Sequence, residues 1–313
     1  MTCSKFQIIL ITLITLLPGC KKDDLTIGEK NEPFYKKINA IAVQDDIVWV
    51  GTFENGIYKL EDETWVNYTT ENGLLADYIT TLMVDNNNCV WIGTQSGLTR
   101  IENDTWTNFT TEDGLYSNNI RCLACDKENN IWIGTDRNRL SCYDGINFET
   151  YHVNPEASGD PGIGHIHTIV CDPDKKVWVG SCMTGLSMFD GSAWYHFVYD
   201  LHRFVEVSAC DLNGGVWFSD YTAVYNYSDG VWTRYLTSSG LASTYIKCMD
   251  IDTDNNIWFG TDIGISKFDG ISWTNYYTGN ALYKESVSSL ACGKNGIIWI
   301  GNFDGLRKYQ AAE

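Results

Sequence analysis

The residues whose types and spacing could do chemistry form a few short groups. His165-Ile166-His167 presents two imidazoles on one face of an extended segment, enough for two metal ligands, and no third ligand is near in sequence. No metal site is therefore expected. Cys122-Leu123-Ala124-Cys125 has redox spacing. On a strand its sulfurs point to opposite faces, and no helix amino terminus lowers a thiol pKa. Asp252-x-Asp254-x-Asn256 begins like a calcium loop, but Ile257 and Ile263 stand where such a loop needs Gly and Glu. A hairpin turn accounts for it. No Gly-x-Ser-x-Gly, His-Glu-x-x-His or phosphate loop occurs, and neither a catalytic residue nor a cofactor is expected.

The elements that position these groups follow from a repeat. Trp-[Ile/Val/Phe]-Gly, with Ser219 replacing Gly once, recurs at Trp49, Trp91, Trp132, Trp178, Trp217, Trp258 and Trp299. The spacings are 42, 41, 46, 39, 41 and 41 residues, and a period near forty means stacked supersecondary units. The second unit has four short apolar segments: Ile79 to Val84, Val90 to Gly93, Leu98 to Ile101 and Trp106 to Phe109. Four strands per unit make a propeller blade, so the chain is expected to be an all-β, seven-bladed β-propeller with four-stranded antiparallel blades.

Turn residues fit the hairpins. Asp85-Asn86-Asn87-Asn88, Asp126 to Asn130 and Asp252 to Asn256 join first and second strands, where residues tolerant of positive φ are wanted. Fourth strands carry ring pairs three residues apart, Trp65/Tyr68, Trp106/Phe109, Phe148/Tyr151, Trp194/Phe197, Trp232/Tyr235 and Trp273/Tyr276, and their recurrence marks them as scaffold. Cys125, Cys171, Cys210 and Cys292 lie seven residues before a repeat tryptophan and read as small core residues. Nine cysteines follow Cys20, and few or no disulfides are expected.

Positions that vary within a repeating frame are free to serve a ligand. Thirteen and eleven residues before each tryptophan stand Tyr78/Thr80, Asn119/Arg121, His165/His167, Phe204/Glu206, Tyr245/Lys247 and Ser286/Ser288, flanking uniformly apolar neighbours. Strand alternation turns this polar set toward the channel. Variable residues also follow each Trp-x-Gly-x: Phe53-Glu54, Gln95-Ser96, Asp136-Arg137, Cys182-Met183, Tyr221-Thr222, Asp262-Ile263 and Phe303-Asp304. The candidate ligand-binding residues are Tyr78, Asn119, Arg121, Asp136, Arg137, His165, His167, Glu206, Tyr221, Tyr245, Lys247, Asp262 and Phe303. The connection Asn154 to Gly164 is expected to overhang this end.

The string Ile-Trp-Ile-Gly-Thr, then Gly-Leu, then Asp-Gly-x-x-Trp, then Asn-Gly-Leu resembles the two-component regulator propeller repeat. Trp91-Ile92-Gly93-Thr94 with Gly97-Leu98, Trp258-Phe259-Gly260-Thr261 with Gly264-Ile265, and Gly73-Leu74, Gly114-Leu115 and Gly240-Leu241 carry it. It covers roughly residues 38–309, with Ser219 and Arg139 as departures. In that family such propellers form periplasmic sensor regions of hybrid histidine kinases, and several recognise oligosaccharides. The resemblance implies a non-catalytic propeller that binds a glycan or a protein partner. No kinase or receiver region and no second hydrophobic segment is read in this sequence. The alternative is a metal-dependent propeller lyase, similar in shape to the streptogramin-inactivating lyases, with His167 as base and Glu206 holding metal.

Residues 1–19 read as a leader: Lys5, then an uncharged run from Phe6 to Leu17 too short to span a bilayer. Leu17-x-Gly19-Cys20 resembles the bacterial lipobox, which implies lipid on Cys20 and a membrane partner. Lys21-Lys22-Asp23-Asp24 resembles a tag for the outer face of the outer membrane, so an outer membrane lipoprotein, periplasmic or surface-exposed, is expected. Losing Lys5 with the leader takes the net charge from −18 to −19, which disfavours nucleic acid. The seventh repeat stops before its fourth strand. Counting back from Ile38 by the usual spacing, Leu25 to Ile27, or failing that Phe34-Tyr35, is expected to close the ring. The expected organisation is leader 1–19, lipidated tether with a ring-closing strand 20–37, and propeller 38–313.

Overall fold

The computed structural model describes residues 36–153, 165–182, 184–197, 204–276 and 286–310. The leader, Cys20, both expected closing stretches, the Asn154 to Gly164 connection and Met183 lie outside the described residues. Six antiparallel sheets have four strands each, and a seventh has three among the described residues. The chain is a seven-bladed propeller. Blade 2 shows the frame, with strands Ile79–Val84, Val90–Thr94, Leu98–Glu102 and Thr105–Phe109 from inside to outside. Blade 7 comprises Ser289–Cys292, Ile297–Gly301 and Leu306–Gln310. Blades 7 and 1 meet directly: the Ile38 amide donates to the Asn302 carbonyl at 3.1 Å, and Ile38 and Ile41 pack with Ala291, Trp299 and Leu306.

Hydrogen bonds to one aspartate organise five of the inner hairpins, and this revises the part assigned to the Asp-Asn runs. The indole N–H of Trp91, Trp132, Trp178, Trp217 or Trp258 donates to the aspartate six residues earlier at 2.7–3.0 Å. The same carboxylates accept backbone N–H groups two and four residues further on, as Asp252 does from Asp254 and Asn256. Positive φ falls later in each turn, at Asn88, Asn129, Lys175, Gly214 and Asn255. Thus the first residue is an acceptor that couples turn to core, and the fourth supplies the left-handed conformation.

Glycine after the tryptophan is required by blade-to-blade approach. A Cβ on Gly93 would lie 2.5 Å from Thr81 Cγ2 and 2.8 Å from Ile120 Cγ2 of the next blade. Fourth-strand rings complete the blade interfaces: Tyr68 lies 6.3 Å from Trp49 and 5.1 Å from Trp106 of the following blade. Between blades 1 and 2, 2 and 3, and 5 and 6, Gly73, Gly114 and Gly240 end a single 3-10 turn at φ of 110°, 111° and 113°. The chain then drops Leu74, Leu115 or Leu241 into the interface.

All nine cysteines among the described residues are free. Cys122 belongs to the blade 3–4 cluster and Cys125 packs against the blade 2–3 cluster, on opposite faces of their strand. Cys125, Cys171, Cys210 and Cys292 are partly buried at the margins of the interface clusters rather than inside them. Burial pushes Cys122 up to about 12 and Cys125 to about 11.

Candidate functional site at the channel end

Inner strands begin at the end of the ring where the loops between second and third strands emerge, so both variable sets converge there. Ile79, Ile120, Ile166, Val205, Ile246 and Val287 are 0–1% exposed, fixing the apolar face as expected from alternation. A register slip sits between Ile79 and Thr81, between Ile166 and Thr168, and between Ile246 and Cys248. The skipped residues are Thr80, His167 and Lys247. These bulges exempt the side chains from ladder pairing at the channel end.

Asp136 gathers a polar network from blades 3 and 4. It accepts from Asn119 Nδ2 at 2.7 Å and Arg121 Nε at 2.8 Å, and His165 Nδ1 lies 2.9 Å from the same oxygen that Arg121 contacts. Burial alone would raise the Asp136 carboxyl, but the bonds from Arg121 and Asn119 and the Arg121 charge outweigh it and hold it below the usual range. His167 is pushed down to about 4, first by burial and then by the Arg121 and His165 charges, and is neutral at pH 7. Its Nε2 is buried without a hydrogen-bond partner among the described residues.

From His167 an aromatic ladder crosses blades 4, 5 and 6. Ring centroids are 5.0 Å apart for His167 and Phe204, 4.8 Å for Phe204 and Tyr221, and 5.0 Å for Tyr221 and Tyr245. Both later pairs are stacked, at 28° and 24°. Burial and the neighbouring Glu206 carboxylate push the Tyr221 hydroxyl up. Lys247 Nζ lies 5.8 Å from the Tyr245 ring centroid, and Tyr245 is 44% exposed. A second aromatic group spans blades 7, 1 and 2: Tyr78 contacts Phe53 at 4.8 Å, and Lys37 Nζ lies 4.3 Å from the Phe53 centroid and 5.2 Å from that of Phe303.

The structure therefore joins Asn119, Arg121, Asp136 and His165 in one network. His167, Tyr221, Glu206, Tyr245 and Lys247 form a second group, and Tyr78 and Phe303 belong to a third. Arg137, at φ 59°, and Asp262 are exposed rim residues; the Asp262 amide donates to the Tyr245 carbonyl at 3.3 Å. Counting back from Trp49 overlooked Lys37 and Asn39, because the first hairpin of blade 1 is one residue shorter. Asn39 is the skipped residue of that blade's slip and donates to the Ile79 carbonyl at 2.9 Å. Aligning blade 1 on Ile38 instead of Trp49 finds both.

Among the described residues no group of three or more His, Cys, Asp or Glu could hold a metal ion. Glu206 neighbours Tyr221, and His167 packs against Phe204.

Residues 73–96, 117–137 and 240–262 match the family described as two component regulator propeller. The fold is similar to the extracellular domain of BT3049, a B. thetaiotaomicron protein assigned to the hybrid two-component systems. That likeness has a TM-score of 0.72 at 20% identity, covering 88% of this chain and 39% of the other. It is similar to the extracellular domain of BT4673 from the same organism, with a TM-score of 0.70 at 16% identity, covering 93% of this chain and 40% of that one. It is also similar to a streptogramin B lyase, with a TM-score of 0.74 at 13% identity, covering 89% and 95%. At these identities the likenesses establish the fold alone. This chain spans about two fifths of the extracellular domains it matches. No curated protein sequence matches it. The chain is a seven-bladed propeller in which segments of blades 2, 3 and 6 match the two component regulator propeller repeat.

Proposed function

We propose that this chain is a non-catalytic, extracytoplasmic propeller that captures an oligosaccharide at the channel end, held at the outer membrane by lipid on Cys20. The observation that carries this reading is the stacked ladder of Phe204, Tyr221 and Tyr245 beside the Asp136 network. Aromatic faces take the apolar C–H faces of a sugar ring, while carboxylate, amide and guanidinium groups fix its hydroxyls. Tyr245, 44% exposed, and Phe303, 57% exposed, offer free ring surface at two places around the mouth.

The test is calorimetry of the purified chain against neutral and acidic oligosaccharides, with and without EDTA. A glycan that binds in EDTA and loses at least about tenfold in affinity, about 1.4 kcal/mol, on Tyr245→Ala supports the reading. Val231→Ala, on an exposed outer strand, is the control. Binding that needs a metal ion, with turnover lost on His167→Ala, would favour the lyase instead. Radiolabelled palmitate incorporated by the full chain and lost in Cys20→Ser tests the anchor.

A further inference from the structure

Around the mouth of the channel, cations stand over aromatic rings without a carboxylate to balance them. Lys247 Nζ lies 5.8 Å from the Tyr245 centroid, Lys37 Nζ lies 4.3 Å from that of Phe53 and 5.2 Å from that of Phe303, and Arg139 Cζ lies 5.4 Å from that of Tyr116. None of these three cations, nor Arg137, takes part in an ion pair among the described residues. The chain has 40 acidic residues against 22 lysines and arginines, so carboxylates are not scarce. Away from the mouth, Lys59, Lys175, Lys176 and Lys294 each have one. Lys267 and Lys308 also lie over rings without an ion pair, but their partners, Trp258 and Trp299, are buried in the core, whereas Tyr245 and Phe303 are exposed.

Backbone strain singles out one of these cations. Five of the seven loops between second and third strands put glycine at their left-handed position: Gly56, Gly97, Gly185, Gly264 and Gly305. Blade 5 has Tyr221 there instead, at φ 66°, and blade 3 has Arg137 at φ 59° followed by Asn138 at φ 52°. Long and aromatic side chains are disfavoured in that region, and strain of this kind persists where the side chain has work to do. Tyr221 joins the aromatic ladder. Arg137 is exposed and makes no contact of its own with another described residue. A strained arginine with no partner inside the protein points to a partner outside it.

We infer that the ligand of the channel end is an acidic oligosaccharide, with uronic acid carboxylates received by Lys247 beside Tyr245 and by Arg137 at the blade 3 rim; this rests on the oligosaccharide reading above. In a uronic acid the carboxylate leaves the sugar ring at its edge. A ring whose C–H face lies on Tyr245 therefore brings its carboxylate to the ammonium that stands over the same tyrosine. The Arg137 guanidinium can take a second carboxylate with two parallel N–H donors. Asp136 does not oppose this, because Arg121 and Asn119 already meet its charge and its oxygens. Glu206, beside Tyr221, is left to accept sugar hydroxyls. At the opposite end, the hairpin turns of blades 1 and 2 carry Asp45, Asp46, Asp62, Glu63, Asp85 and Asp104 with no lysine or arginine among them. That field repels an anion from the far end and directs it to the mouth.

Calorimetry on the full chain in EDTA, with oligomers of galacturonate, glucuronate and mannuronate and with the methyl esters of the same oligomers, tests it. The esters keep the ring faces and lose the charge. The acid that binds should do so at least about tenfold more tightly than its ester, and this preference should shrink as salt rises from about 0.05 to about 0.5 M. Lys247→Met should reduce the preference at least about fivefold, whereas Arg234→Met, on the outer strand Val231–Tyr235 of blade 5, should keep it. Arg137→Gly should weaken binding of the acid while its urea midpoint stays level or rises, because glycine takes φ 59° without strain. Equal affinity for acid and ester, or binding of neutral oligomers alone, overturns the inference and leaves oligosaccharide capture standing. Binding of no sugar from either set overturns both.

Discussion

Replacing Asp252 by alanine removes the acceptor that ties the blade 6 hairpin to its core. Asp252 accepts from Trp258 Nε1 at 2.7 Å, from the Asn256 amide at 2.9 Å, from Asn256 Nδ2 and from the Asp254 amide at 3.0 Å. Trp258 is 0% and Asn256 8% exposed, so neither recovers a water partner, whereas Asp254 does. Three donors on these two buried residues lose their acceptor, at about 1–3 kcal/mol each, which predicts a loss of at least about 3 kcal/mol. Asp269→Ala is the comparison. It also loses several hydrogen bonds, from Ile271 N, Ser272 N and Ser272 Oγ, but all are exposed and rehydrate, so the cost is within about 1 kcal/mol.

Urea unfolding of the two variants at pH 7 measures the difference. Burial alone would raise the Asp252 carboxyl; the bonds from Trp258 and Asn256 outweigh it and leave it below the ordinary carboxylate value. Its contribution is therefore full above the unfolded value of about 3.9 and is lost as pH falls through the lower folded value. The gap between unaltered chain and Asp252→Ala should close in that acidic window. Equal losses for Asp252→Ala and Asp269→Ala at pH 7, or a gap that widens on acidification, would refute the reasoning.

Gly93→Ala should destabilise by about 1–3 kcal/mol in the same assay, because its Cβ meets side chains on both sides of a blade interface. His167 should titrate near 4 by NMR; with its folded value depressed, it adds a stability loss as pH falls from about 6.5 toward 4, absent in His167→Asn. At pH 8, Cys122, Cys142, Cys210 and Cys248, each raised to about 12 chiefly by burial, should resist a disulfide-exchange reagent until urea is added.

Blade number, strand boundaries and the inward and outward faces of the inner strands were legible in the sequence. Each is written seven times at a fixed period, and local rules act alike on every copy: alternation sets Ile79 and Ile246 inward, and hairpin chemistry places the turns. Lys37 of blade 1 was passed over only because a one-residue deletion breaks the count, not the pattern.

What the sequence could not supply is the association of the variable residues. Asp136 and His165 are 29 positions apart and meet because consecutive blades place a loop beside an inner-strand start. Tyr221 and Tyr245 stack for the same reason. Which residues stand beside Glu206 depends on side-chain directions set by packing around the ring, and no spacing along the chain encodes them. The repeat thus determined the scaffold, because its forces are local and recur. The candidate site was decided only by tertiary structure, because its contacts form between blades and each occurs once.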